Sequence, residues 1–192
     1  MSKIGNSTFT LSGASVYTAG TTISAGTFVV SNTSGSAIGA GAVSVTAGTL
    51  GGSGIIAGAV TVGSGSGTGA FLAPAYAGNK QLTLTIKSSL TFNSDSTYTY
   101  TFKAKSNKSK TDKVVANGVT INSGASFNLS RAAQGTLTQG TVLTVIKNTS
   151  VAPISGTFSN LLNGAIVTVN GNNLQASYSG GDGNDLTLTV VP

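Results

Sequence analysis

The sequence predicts an all-β fold, a parallel β-solenoid in which short segments stack as successive coils. First, one phrase recurs: an apolar residue is followed by two small or polar residues, and a turn residue stands three positions after the apolar one. Second, β-branched residues alternate with small polar residues over most of the chain, a pattern typical of strands. Third, no segment has the apolar stripe of period 3.6 that a surface helix needs, so we expect almost no helix.

The recurring phrase is found five times, from Ile23 to Gly26, Val45 to Gly48, Val62 to Gly65, Phe92 to Asp95 and Ile121 to Gly124. Five recurrences with one internal offset indicate a stack of similar turns. Its turn glycines Gly26, Gly48, Gly65 and Gly124 are expected to adopt left-handed conformations at the corners, which glycine does without strain. We therefore expect a bulky substitution at Gly26 or Gly48 to be more harmful than one at Ser24.

The composition fits such a stack. The chain has 192 residues with 27 glycines and 3 prolines, and charged residues make up only 7% of it. Each strand is too sparsely apolar to bury a face alone, but strands stacked about 4.8 Å apart bury one continuous core. A coil of about 20 residues predicts about nine or ten coils, hence a rod about 40 to 50 Å long.

We expect one continuous fold over residues 1–192, regular and glycine-rich in residues 1–78 and wider and less regular in residues 79–192. In the first region, strands are expected near 8–11, 21–31, 43–46, 49–50, 55–62 and 70–73. In the second, they are expected near 81–86, 89–92, 97–102, 113–119, 126–129, 142–146, 156–158, 166–169, 174–178 and 186–191. No sharp change of composition marks a second domain.

The residue types argue against catalysis and against transition metals. Cysteine, histidine and tryptophan are absent, so thiolate and imidazole ligands and a histidine base for a serine nucleophile are all lacking. The acidic residues are Asp95, Asp112, Asp182 and Asp185, and Arg131 is the one arginine. Only the last two aspartates are near each other in sequence, so a carboxylate pair for glycoside hydrolysis is not indicated. We expect no enzyme activity and no required cofactor.

A lysine-rich stretch is the main electrostatic feature. It holds Lys103, Lys105, Lys108, Lys110 and Lys113, five of the ten basic residues of a chain with net charge +6. Such a segment attracts anionic ligands, and we expect an anionic glycan or cell-surface ligand rather than a specific nucleic acid. The alternative is a solvated loop that protects a strand edge. Tyr98, Tyr100 and Phe102 fit either stacking faces or the core.

A second candidate site lies near the end of the chain. The segment from Gly180 to Leu188 fits the calcium-binding nonapeptide of repeat-in-toxin proteins, in which Asp182 and Asp185 would be the carboxylate ligands of Ca²⁺. Calcium rolls share ions between adjacent turns, and this chain has one copy. The alternative is a glycine-rich turn before the last strand.

The segment from Phe9 to Phe28 resembles the autotransporter-associated β-strand repeat, also called the passenger-associated transport repeat, through its Leu-Ser-Gly and Ala-Gly-Thr pieces. Four later pieces resemble the region that often follows such repeats in large bacterial surface proteins: residues 111–115, 140–146, 155–161 and 177–190. The resemblance implies a right-handed, single-stranded parallel β-helix. It also implies a structural stalk or scaffold in a passenger, located extracellularly or at the bacterial cell surface.

The two ends of the sequence predict how the stack terminates. No apolar leader core follows Met1, so the chain is either cytosolic or a piece of a longer secreted chain, and its abrupt start within the repeat pattern favours the piece. No run of about 18 apolar residues exists, so we expect no transmembrane segment. Beyond Lys3 and Pro192, neither end shows a helix or a charged cap. We therefore expect exposed strand edges that stack end to end, giving a homo-oligomer or a fibre.

Overall fold

The computed structural model describes residues 1–76, 81–105, 108–129 and 135–192. Lys80, Ser130 and Arg131 are among the residues outside these ranges. The strands of the first half are β1 (Ser2–Lys3), β2 (Thr8–Leu11), β3 (Thr21–Ile23), β4 (Thr27–Val30), β5 (Val43–Val45), β6 (Gly48–Gly52), β7 (Ile55–Ile56), β8 (Val60–Val62), β9 (Ala70–Leu72) and β10 (Thr83–Ile86). Those of the second half are β11 (Leu90–Phe92), β12 (Ser96–Tyr100), β13 (Phe102–Lys105), β14 (Lys108–Thr111), β15 (Lys113–Ala116), β16 (Val119–Ile121), β17 (Ser126–Leu129), β18 (Val142–Asn148), β19 (Ile166–Val169), β20 (Asn172–Gly180) and β21 (Asp185–Val191).

Three sheets run along the stack. The first sheet has the order β1-β3-β5-β8-β11-β16, the second β17-β12-β9-β6-β4-β2, and both are parallel throughout. The third has the order β19-β20-β21-β18-β15-β10-β7, with parallel pairing from β7 to β18. The described strands thus form six coils, and each of the last four coils contributes one strand to each of the three sheets. The predicted parallel β-solenoid is confirmed, with about four full turns and no helix among the described residues.

The recurring phrase occupies one corner of five successive coils. Its apolar residues form a single register column, in which Lys3 precedes Ile23, Val45, Val62, Phe92 and Ile121. The corner that follows leads into the second sheet, whose inward column is Phe9, Phe28, Leu50, Leu72, Tyr98 and Phe127. Because each layer presents the same residue class at the same corner, one narrow core runs along the stack.

The coils widen along the chain. Val43 pairs with Val60, which is 17 residues later, whereas Val60 pairs with Leu90, which is 30 residues later. The longer coils enclose aromatic side chains: Phe158 lies against Phe92, Tyr98 and Phe127 with ring centroids 5.2, 6.2 and 5.8 Å apart. The prediction of about nine or ten coils is therefore wrong, since a coil of about 20 residues holds only for the first part of the stack.

The C-terminal residues do not add further coils. Strand β20 pairs antiparallel with both β19 and β21, and β21 pairs antiparallel with β18, so these strands continue the third sheet beyond the last coil. The strand predicted at residues 156–158 is also absent, because Phe158 takes part only in an isolated bridge with Leu161. Within the described ranges, no helix has the length and apolar character to cross a membrane.

Residues 149–165 close the far end of the stack, which we call the C-terminal cap. Ser155 pairs with β16, donating to the Val119 carbonyl at 3.0 Å and accepting from the Ile121 amide at 2.7 Å. The Asn160 side chain replaces a missing strand beside β17: its Oδ1 accepts from the Phe127 amide and its Nδ2 donates to the Phe127 carbonyl, both at 2.8 Å. The expectation that neither end is capped is therefore wrong for this end.

The cap is held to the last sheet by a buried tyrosine. The Tyr178 hydroxyl accepts from the Phe158 amide at 3.0 Å and donates to the Leu161 carbonyl at 2.7 Å. Burial raises the pKa of Tyr178 to about 12, although the bond from Phe158 opposes the shift. The antiparallel sheet and the cap thus form one packed unit at the end of the stack.

Candidate functional site

The lysine-rich stretch forms an antiparallel hairpin, which we call the lysine hairpin (Phe102–Thr111). Among the strands that the structure describes, β13 and β14 pair with each other alone, and they lie in sequence between β12 and β15 of the fifth coil. Their register places Lys103 opposite Lys110 and Lys105 opposite Lys108. Four lysine positions that are spread over eight residues of sequence thus come to lie in two directly opposed pairs.

One side of this hairpin faces the protein and the other faces solvent. Phe102 and Ala104 are buried, whereas Lys103 and Lys110 are exposed. Like charges directly opposite each other on antiparallel strands are destabilising, so the register costs stability while it concentrates positive charge. Lys113 lies at the start of β15 and is half-buried. Residues 102–105 and 108–111 thus form paired strands.

Asp112 fixes the base of the hairpin. Its carboxylate is buried and accepts from the Thr101 amide at 3.1 Å, from the Thr101 hydroxyl, and from the Leu82 amide at 3.0 Å. Burial raises the pKa of Asp112 above its ordinary value, and these hydrogen bonds oppose the rise. Thr101 and Asp112 flank the hairpin in sequence, so this contact sets where it leaves the coil.

The aromatic residues before the hairpin belong to the core. Tyr98, Tyr100 and Phe102 are all fully buried, and the Tyr98 hydroxyl donates to the Val145 carbonyl at 3.0 Å. Burial raises the pKa of Tyr98 and Tyr100 well above that of a free tyrosine. Of the two alternatives that the sequence left open, these rings adopt the core position and offer no stacking face to a ligand.

The two aspartates of the nonapeptide segment have different surroundings. Asp182 is exposed in the turn between β20 and β21, where Gly181 and Gly183 have positive φ. Asp185 is buried, and its Oδ1 accepts from the buried amide of Asn148 at 2.8 Å. One carboxylate oxygen of the predicted ligand pair is thus committed to the fold. Calcium binding at Asp182 and Asp185 stays a prediction.

Asp95 forms a contact that the sequence did not reveal. Its carboxylate lies over the turn of the preceding coil and accepts from the amides of Ser64, Gly65 and Gly67 at 3.0, 2.8 and 2.8 Å. It also accepts from the Ser64 hydroxyl at 3.0 Å. Although desolvation raises the pKa of Asp95, these bonds outweigh it and leave the pKa below the ordinary value. The available signal was Asp95 itself, which stands where the other phrases have glycine.

The turn glycines lie at the predicted corner. Gly26, Gly48, Gly65 and Gly124 have φ of 68°, 81°, 92° and 99°. A Cβ on Gly26 would lie 2.5 Å from the Gly5 carbonyl oxygen, and one on Gly48 would lie 2.5 Å from that of Gly26. At these two corners, a side chain would meet the backbone of the coil beneath as well as adopt a strained conformation.

The four aspartates lie in different surroundings. Asp95 and Asp112 are each hydrogen-bonded into separate turns of the stack, and Arg131 lies outside the described residues. In the part of the chain that the structure describes, no three acidic, histidine or cysteine side chains come together as metal ligands. The lysine hairpin is therefore the most concentrated charged feature of the described surface.

The start of the stack is where the chain is similar to a known family. Residues 1–30 match the Passenger-associated-transport-repeat. The match spans the first coil and both strands of the second, including the first occurrence of the recurring phrase. It agrees with the resemblance found in the residues from Phe9 to Phe28. No curated protein has a significant match to the sequence.

Proposed function

We propose that this chain is a structural segment of a bacterial secreted or cell-surface protein, a stalk or scaffold of the passenger type without catalytic activity. One observation carries the proposal: the residues that match the passenger-associated repeat form the first coils of a parallel stack. Such a stack provides length and a rigid outline, and each added coil needs only the coil beside it. The matched family supports an extracellular or surface location.

Surface display tests this role directly. The chain is placed between a secretion leader and a membrane anchor in a bacterial host, with an epitope at its N-terminus. We expect the epitope to be accessible on intact cells and the displayed chain to resist protease. A stalk also predicts that a second copy of residues 21–42, inserted after residue 42, adds one layer of about 4.8 Å, measured on the purified protein by small-angle scattering.

Two matched variants distinguish a chain that is folded on the cell surface from one that is exported without folding. Gly48→Val blocks a corner, so its displayed chain should be degraded, whereas Ser24→Val changes an exposed position and should behave like the parent. A chain that is displayed but is cleaved as readily as Gly48→Val would contradict a rigid stalk. So would an inserted coil that leaves the scattering dimensions unchanged.

A second candidate function is adhesin-like binding of an acidic polysaccharide through the lysine hairpin. The observation that favours it is the register, which holds Lys103 opposite Lys110 although opposed like charges weaken a hairpin. An anionic ligand that contacts both lysine side chains on the exposed face offsets that repulsion. The lysine hairpin thus presents concentrated positive charge, which suits the binding of carboxylate or sulfate groups.

Charge reversal tests the second candidate. The double variant Lys103→Glu and Lys110→Glu should lose retention on immobilised polygalacturonate and on heparin. The control Lys87→Glu and Lys147→Glu has the same change of net charge at two lysines outside the hairpin and should stay bound. Equal loss in both variants would indicate attraction by net charge alone. Full retention of the hairpin variant would exclude this site.

A further inference from the structure

The outward side chains of the first sheet form one uninterrupted column of hydroxyl groups. In β3, β5, β8, β11 and β16, the middle residue points outward and its two neighbours are buried. The cap continues the column, because Ser155 pairs parallel with Thr120. Strand register thus joins seven layers over about 29 Å into what we call the hydroxyl column: Ser2, Thr22, Ser44, Thr61, Thr91, Thr120 and Ser155.

An outward position in this stack does not by itself require a hydroxyl. In the second sheet, Phe71 interrupts the corresponding threonines, and the Thr97 hydroxyl is bonded to that of Ser126 at 2.9 Å. The third sheet has a mixed outward column in four successive layers: Ile55, Thr85, Val115 and Lys147. The continuous column of the first sheet is therefore a property of that face and not of solenoid strands in general.

The hydroxyl column has hydrogen-bonding capacity that the fold does not use. In the described part of the chain, its side-chain hydroxyls make no hydrogen bond with another protein group. Each hydroxyl can donate one hydrogen bond and accept two, and the groups repeat at the layer spacing of about 4.8 Å. From Thr22 to Thr120 the side chains are half-buried between neighbouring layers, and threonine has few rotamers. The column is thus both unpaired and rigid.

A second polar column runs beside the first, two residues further along each strand and hence about 6.6 Å away. Its side chains are linked to one another: Asn122 Nδ2 donates to Asn93 Oδ1 at 2.9 Å, and Thr46 Oγ1 donates to Ser24 Oγ at 3.3 Å. The members of this second column are Ser24, Thr46, Gly63, Asn93 and Asn122. The two columns together form a regular two-dimensional array of small polar groups.

The array is uncharged. Lys3 lies on β1, but its Nζ donates to three backbone carbonyls. Asp95 borders the second column at Gly63, but its carboxylate is bonded to the turn amides described above. The other described lysines lie on a strand of the third sheet, directly after one, or in the lysine hairpin: Lys87, Lys103, Lys105, Lys108, Lys110, Lys113 and Lys147. No strongly hydrated ammonium therefore disturbs the water next to the array.

We propose that this face of the first sheet binds the surface of ice through a layer of water ordered on the two columns. The repeats of the array, about 4.8 by 6.6 Å, are close to those of the oxygen atoms on a prism face of hexagonal ice. Bridging waters bind nearly as well as direct partners, and a rigid array loses little entropy on binding. A sugar or another small ligand is usually held in a concave site lined in part by aromatic rings, and neither column presents a ring. The proposal does not depend on the scaffold role.

Nanolitre osmometry on the full chain tests the proposal. We expect faceted ice crystals and a gap between the melting and growth temperatures that widens with protein concentration. Thr61→Lys places a charged side chain in the middle of the hydroxyl column and should abolish most of the gap. Thr85→Lys is the matched control, because Thr85 is a half-buried, outward threonine in the third sheet, and it should behave like the parent.

Two further measurements keep the result interpretable. Thermal unfolding shows whether each variant folds, and Thr91→Lys repeats the test in another layer should Thr61→Lys fail to fold. Uptake of fluorescently labelled chain into a growing ice hemisphere should follow the same order of variants. Absence of ice shaping by the parent, or equal loss in Thr85→Lys, would overturn the proposal. Retention on cellulose or chitin that Thr61→Lys abolishes, without any effect on ice, would assign the face to a neutral polysaccharide instead.

Discussion

The narrow coils near the N-terminus and the wide coils near the C-terminus achieve a closely packed interior in opposite ways. In the narrow coils, the corner at Gly48 passes so close to Gly26 that no side chain fits. In the wide coils, the larger interior is filled by rings such as Tyr98 and Phe158. The first region should therefore be sensitive to added atoms and the second to removed atoms.

Removing a buried ring from the wide coils should reduce stability the most. Phe158→Ala removes a fully buried ring that contacts Phe92, Tyr98 and Phe127, so we expect the free energy of unfolding to fall by about 3 to 5 kcal/mol. Leu162→Ala is the control, since Leu162 lies in the same cap but is 57% exposed. Chemical denaturation measures both. Equal, small losses would mean that the cap is not packed as described.

Adding a side chain at a corner of the narrow coils should cause the next largest loss of stability. Gly48→Ala places a Cβ 2.5 Å from the Gly26 carbonyl oxygen at a residue with φ of 81°, so we expect a loss of about 3 kcal/mol. Ser24→Ala, at an exposed position of the same corner, should change stability by less than about 0.5 kcal/mol. Equal stability of the two variants would mean that the corner at Gly48 has room for a side chain.

Asp185 tests whether the C-terminal turn serves the fold or an ion. Asp185→Ala leaves the buried Asn148 amide without its acceptor, and we expect a loss of about 2 kcal/mol. Because that contact needs no ion, the loss should be the same with Ca²⁺ and with a chelator. Calorimetric heat with Ca²⁺ that disappears in Asp185→Ala would instead establish the calcium site at Asp182 and Asp185.

Asp95 gives a smaller effect that depends on pH. Asp95→Asn weakens the bonds from Ser64, Gly65 and Gly67, and we expect a loss of about 1 kcal/mol at pH 7. Since folding lowers the pKa of Asp95, its contribution is present above the ordinary value of 3.8 and is lost as the pH falls below it. The difference between variant and parent should therefore shrink in acid. A difference that stays constant with pH would mean that folding does not lower the pKa of Asp95.

A charge change in the lysine hairpin should give the smallest effect, a gain in stability. Lys110→Glu places a negative charge opposite Lys103. We therefore expect the free energy of unfolding to rise by about 0.5 kcal/mol, as measured by thermal unfolding. Lys87→Glu, at an exposed position outside the hairpin, is the control for net charge. A decrease in stability would show that the opposed lysines are not the source of repulsion.

Much of the coil architecture could be predicted because it depends on local repetition. The offset from Val45 to Gly48 is set by one corner and is therefore visible in the sequence, as is the absence of a helical stripe. Coil length could not be predicted, since nothing local to Val60 shows that its partner is Leu90 rather than a residue about 20 positions away. The number of coils was overestimated for that reason.

The cap and the aspartate contacts could not be predicted for a related reason. Asn160 acts as a strand only because Phe127 lies beside it, and these residues are 33 positions apart. Asp95 likewise acts on a turn of another coil, 28 to 31 residues away. The lysine hairpin is intermediate: its charge was evident, but the opposition of Lys103 and Lys110 follows from strand register.

The Asn160 side chain has a consequence for protein engineering. Its amide uses one donor and one acceptor, the same pair that a strand residue would present, yet among the described residues no strand follows β17 in this sheet. Residues 149–165, held in place by Tyr178, are thus a candidate for transfer to other stacks. Grafted onto a synthetic β-solenoid of any length, they would give designers a way to stop uncontrolled polymerisation at one chosen end.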